Sequence, residues 1–166
     1  MKDTPPAPRH LSFKAVTTSD PSSNRVTPPP QGGTNDPTSS GGALVVYNSA
    51  GLSTDEVTVT LPAVNWTLLG STGYRYKDPN PSSVISKVSL KPDRITVKGG
   101  RGWTYTLDES AQGRVAVRLL LGSQGWCADG PAKTSGSPPS TARNDTVGRF
   151  KAASHAAAPG ACPLTP

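Results

Sequence analysis

Histidine occurs twice, cysteine twice and methionine once in 166 residues, so most familiar catalytic and metal-binding arrangements lack their raw material. A hydrolase triad needs a base held beside its nucleophile. His10 and His155 instead lie in proline- or alanine-rich end segments, and no G-x-S-x-G elbow occurs. The cysteines and histidines show neither C-x-x-C nor H-x-x-x-H spacing, which argues against a structural zinc. The glycine pairs Gly32-Gly33, Gly41-Gly42 and Gly99-Gly100 never open a helix, so no phosphate-cradling loop is present. The loops 78-DPNPSS-83 and 143-RNDT-146 offer a calcium ion two or three oxygens at most. Neither a metal nor a cofactor is expected.

Long apolar runs are also missing, and no stretch has the length of a membrane-crossing helix. No helical periodicity of useful length appears, nor any repeat of the size that builds solenoids or propellers. The first residues, MKDTPPAPRH, lack the apolar stretch of a secretory signal. The chain therefore reads as a mature piece, a C-terminal fragment of a longer protein, or a late start. Net charge is +6, from 17 Lys and Arg against 11 Asp and Glu. The basic residues are scattered singly, among them Lys14, Arg25, Arg75, Lys87, Lys98, Arg118 and Arg143, and never form a dense run. No specific nucleic-acid role is expected on that ground, although a loose affinity for anionic polymers or cell surfaces stays open.

Glycine and proline are plentiful, 17 and 18 residues, and valine, threonine and serine outweigh the helix formers, a bias that suits half-buried strands. Alternation of apolar and polar residues marks strands at 11-LSFKAV-16, 55-DEVTVTL-61, 73-GYRYKD-78, 84-VISKVSL-90, 94-RITVK-98, 103-WTYTL-107 and 113-GRVAVRLLL-121. The segment 43-ALVVYN-48 pairs most simply with 55–61 through the turn 49-SAGLS-53. The run at Leu119 to Leu121 places its strand near the centre of the fold. About eight to ten short strands separated by turn signals predict an all-β antiparallel sandwich or jelly-roll-like fold. The organisation is a flexible segment 1–10, one β-sandwich domain 11–163 with long Pro/Gly-rich loops at 17–42 and 129–145, and a tail 164–166. The loop 17–42 reads as a tethered excursion over the surface.

Carboxylate pairs suited to glycoside chemistry are limited to Asp55-Glu56 and Asp108-Glu109. Neighbours on a strand point to opposite faces, so both pairs read as solvated turn acids. The sequons at Asn65 and Asn144 add little. Among the aromatics, Trp103 and Tyr105 share a face with Leu107, as core residues do. Tyr74 and Tyr76 are the residues open to a second role, and with Arg75 and Asn80 they form a candidate ligand-binding platform.

The ordered set 44-LVVYNSAG-51, 66-WTLLGSTGYRYKDP-79, 95-ITVKGG-100, 103-WTYTLDES-110, 113-GRVAVRL-119, 126-WCA-128 and 161-ACP-163 resembles an uncharacterised β-rich domain that recurs near the C-termini of secreted or surface proteins of environmental bacteria. The resemblance spans Leu11 to Pro163. It implies an extracellular or cell-surface, non-catalytic domain of unknown function, with no active-site residues to carry over. The chain departs from that pattern in having no signal peptide and no attached module. The family's two late cysteines correspond to Cys127 and Cys162, which supports pairing. Cys127 follows a strongly apolar strand and Cys162 lies in an otherwise untethered tail; closing the loop between them is worth roughly 3 to 4 kcal/mol by chain entropy. The expected function is an extracytoplasmic structural or binding module. Its expected partners are surface polysaccharide or other modules of a parent protein. The alternative is a carbohydrate-binding accessory domain that uses exposed Tyr74 and Tyr76, and an enzyme comes third.

Overall fold

The structure, a computed structural model, describes residues 10–21, 25–100, 102–136, 139 and 143–152. Six of the seven alternating segments become strands as expected. β1 (Leu11–Val16), β2 (Gly42–Asn48), β3 (Glu56–Leu61), β4 (Trp66–Leu68), β5 (Tyr74–Lys77), β6 (Ile85–Lys91), β7 (Arg94–Gly99), β8 (Arg114–Leu121), β9 (Gln124–Pro131), β10 (Asp145–Thr146) and β11 (Arg149–Phe150) follow in chain order. One sheet has five strands, β1-β7-β6-β5-β4, and another has four, β3-β2-β8-β9. All their pairings are antiparallel. β10 and β11 form a separate small hairpin. The all-β sandwich is thus what the sequence specifies.

Register explains the core. In an antiparallel pair, residues opposite one another share a face, and side chains on alternate residues point the same way. On the five-stranded sheet the inward rows are Leu11–Gly99–Ile85, Phe13–Val97–Val88–Tyr76–Trp66 and Ala15–Ile95–Leu90–Tyr74–Leu68. On the four-stranded sheet they include Val59–Leu44–Leu119–Trp126 and Val57–Val46–Val117–Ala128. Leu68 at the sheet edge is exposed and Ala128 lies outside the cluster, but the other apolar members of these rows meet in one hydrophobic core, closed by Trp103, Tyr105 and Leu107. Gly99 carries no side chain because a Cβ there would lie 2.1 Å from the Val84 carbonyl oxygen. β8 is interior to its sheet and buried on both faces over most of its length, as its apolar run predicts.

Three segments differ from the sequence expectation. Residues 103–107 join no sheet ladder, yet Trp103, Tyr105 and Leu107 are buried in alternation. The burial pattern was legible, but the pairing it suggests does not form. Residues 124–131 build a full strand, joined to β8 by the tight turn at Gly122 (φ 57°) and Ser123, although their Gly and Asp content disfavours strands. The long loop contains one short helix, α1 (Pro37–Ser40), whose N-cap Asp36 accepts from the Thr38 amide at 2.8 Å. That loop is tethered: Val26 is buried in the core, its carbonyl accepts from the Asp93 amide at 2.8 Å, and the Pro29 carbonyl accepts from the Tyr74 hydroxyl at 3.1 Å.

Candidate functional site

The four residues of the anticipated platform do not assemble. Tyr74 and Tyr76 belong to inward rows and are 0 % and 1 % exposed. The Tyr76 ring packs edge-to-face on Trp66 at 5.4 Å, and its hydroxyl contacts Asp78 Oδ2 at 3.2 Å. An exposed tyrosine platform is therefore corrected. The alternation Tyr-Arg-Tyr-Lys fixes two faces but not which one faces the core, and the aromatic face is the one worth burying. Arg75 points the other way and is exposed. Asn80 stays in its turn, where its side-chain oxygen accepts from the Ser82 amide at 2.9 Å. Cys127 is buried on β9, opposite Arg118 on the outward face of the four-stranded sheet. Cys162 lies outside the described residues, as does His155.

The outward face of the five-stranded sheet gathers what the sequence scatters. Its rows are Ser12–Lys98–Lys87–Lys77, then Lys14–Thr96–Ser89–Arg75–Thr67, then Val16–Arg94–Lys91. Seven of these twelve positions are cationic and none is acidic. All seven cationic side chains are exposed, and none forms an ion pair among the described residues. With strands about 4.8 Å apart and alternate residues about 6.8 Å apart, the patch measures roughly 19 by 14 Å. Lys77, Lys87 and Lys98 stand directly across from one another, a like-charge arrangement that costs a few tenths of a kcal/mol or more per pair. No single strand contributes more than two of the seven, so no run of basic residues announces them.

The carboxylates collect elsewhere. Asp55, at the start of β3, meets Asp108 and Glu109 from the 103–113 segment, with carboxylate oxygens within 4.8 Å of one another. Of the adjacent pairs in the sequence, Asp55-Glu56 is split as expected, Glu56 turning onto the outer face beside Tyr47, whereas Asp108 and Glu109 converge, because they lie in coil and bend, where strand alternation does not apply. Thr106 Oγ1 sits 2.6 Å from Asp55 and 2.7 Å from Asp108. A hydroxyl has one proton, so it donates to one of them at a time.

Beneath this rim lies a polar cluster that no motif signalled. Gln112, 1 % exposed, accepts from the Tyr105 hydroxyl at 2.8 Å and from Asn48 Nδ2 at 3.1 Å, and its amide group donates to Glu109. Asp145 accepts from the Gln112 and Gly113 backbone amides at 2.6 and 2.8 Å. Asp145 was a potential calcium oxygen in 143-RNDT-146; here it clamps a loop. Asp78 similarly accepts from the Asn80 amide at 2.9 Å. Hydrogen bonds from Ser83 and from that amide hold its carboxyl below the usual carboxylate range.

Fold and surface together define a two-sheet antiparallel β-sandwich with one sheet face on which every charged position is cationic. No family model, curated protein or solved structure matches this chain. Among the described residues no helix is long and apolar enough to cross a membrane.

Proposed function

We propose that this chain is a non-catalytic binding module that works outside the cytoplasm, as an accessory part of a secreted or surface protein. The observation that carries the binding role is the cationic face. Seven positive side chains, none ion-paired among the described residues, share one sheet surface whose twelve positions include no carboxylate, at a cost in mutual repulsion that an anionic partner relieves. The extracytoplasmic setting is supported by the proposed Cys127–Cys162 bridge, since disulfides persist in oxidising compartments. The accessory role is supported by the polar residues, because Asn48, Gln112, Asp36 and Asp145 bond turns and loops.

The test uses dextran sulfate as a generic polyanion. Lys77→Gln, Lys87→Gln and Lys98→Gln together should weaken binding roughly tenfold or more and flatten its salt dependence. Removing three charges far along the chain, Lys133→Gln, Arg149→Gln and Lys151→Gln, should change it far less. Equal losses in the two variants would reduce the effect to net charge and refute a dedicated face.

A further inference from the structure

We infer that the cationic face holds a linear acidic polysaccharide laid across the strands, its acidic groups following the lysine row and its hydroxyls meeting a serine–threonine row. This names the partner class for the binding surface proposed above and rests on that reading. The three rows differ in kind. Lys98, Lys87 and Lys77 form a line of ammonium groups; Arg94 and Lys91 stand on the opposite side; between them run Thr96 and Ser89, flanked by Lys14 and Arg75. Thr96 and Ser89 are half-buried, and their hydroxyls have no hydrogen-bond partner among the described residues. Cations on both sides of a strip of hydroxyl groups suit a chain that is itself both charged and hydroxyl-rich. The lysines repeat at about the strand spacing of 4.8 Å, comparable to the advance of one pyranose ring along a polysaccharide.

The same face argues against the other polyanions. Single-stranded nucleic acid is held by stacking bases on exposed aromatics, whereas Trp66, Phe13, Tyr74 and Tyr76 all occupy inward rows of this sheet. A duplex groove needs an inserted helix or ribbon, and this surface presents none. Five of the seven cations are lysines, point charges without the forked geometry that favours phosphate. An anionic membrane adds attraction through inserted apolar groups. Among the twelve outward positions the large apolar side chain is Val16, at the edge and 38 % exposed.

Three probes of matched charge separate the possibilities: polygalacturonate, oligothymidylate, and vesicles of phosphatidylglycerol in phosphatidylcholine. Polygalacturonate should bind tightest. Ser89→Ala with Thr96→Val should weaken that binding roughly three- to tenfold through lost hydrogen bonds, with the salt slope unchanged because no charge is removed. Ser89→Thr with Thr96→Ser, which keeps both hydroxyls, should restore it. Oligothymidylate or vesicles binding as tightly as polygalacturonate would overturn the polysaccharide assignment and leave the binding face standing, as would a hydroxyl-free variant that binds unchanged. Failure of all three probes, together with dextran sulfate, would overturn both.

Discussion

Raising the pH past 10 should unfold this protein through its tyrosines. All four, Tyr47, Tyr74, Tyr76 and Tyr105, are at most 1 % exposed. Burial is the leading cause that pushes each phenol above its ordinary value, and neighbouring carboxylates add to it: Asp36 beside Tyr74, Asp78 near Tyr76, and Asp55, Glu109 and Asp145 around Tyr105. An unfolded tyrosine releases its proton near pH 10, while the folded chain holds it. The folded state therefore binds more protons in this range. The contribution to stability is complete below pH 10 and is lost as pH climbs through the raised folded values. Each tyrosine steepens the loss by at most about 1.4 kcal/mol per pH unit, and only until pH passes its own raised folded value, with Tyr105, the most strongly raised of the four, acting furthest into the alkaline range. Set against a domain stability of about 5 to 15 kcal/mol, the four losses together should bring unfolding within the alkaline range above pH 10. Tyrosinate absorbance and far-ultraviolet circular dichroism, followed in one alkaline titration, should change together in a single steep step. Tyrosines that ionise near pH 10 while the dichroism stays native would refute the reasoning.

Two further outcomes follow from the interior and from the cysteines. Gln112→Leu should cost about 2 to 4 kcal/mol in urea unfolding, because it strands the buried Tyr105 hydroxyl and one Asn48 contact. Adding Tyr105→Phe should recover about 1 kcal/mol of that; strict additivity would show the pair to be uncoupled. If Cys127 and Cys162 are bridged, the unfolded protein should show no titratable thiol until reductant is added, and reduction should lower stability by roughly 3 kcal/mol. Two thiols before reduction would sink the pairing.

Alternation was legible where a strand has one apolar and one polar face. β3, with exposed Glu56, Thr58 and Thr60 against half-buried Val57 and Val59, reads directly from its residues. β9 was hidden because Gly125, Asp129 and Gly130 carry no strand signal, and the neighbouring β8 supplies the pairing. The cationic face was harder still. Lys14, Arg75, Lys87 and Lys98 looked like isolated charges, since their adjacency is created by register between strands far apart in the chain. Tyr74 and Tyr76 misled for the converse reason: amphipathic rings beside cations fit either side of a sheet, and only the packed partner decides. The cluster around Gln112 unites residues that stand between 48 and 145 in the sequence, with no local pattern to mark it.

The pairing of β1 with β7 sets a schedule as well as a structure. Leu11 lies across from Gly99, so β1 emerges from the ribosome with no partner until nearly ninety further residues have followed. At ordinary rates of synthesis that wait is on the order of five to twenty seconds. Through it the segment LSFKAV stays short, interrupted by Ser12 and Lys14, features that discourage adventitious strand pairing. The same Lys14 that joins the cationic face of the finished sheet thus breaks the apolar character of the segment while the rest of that sheet is still being made.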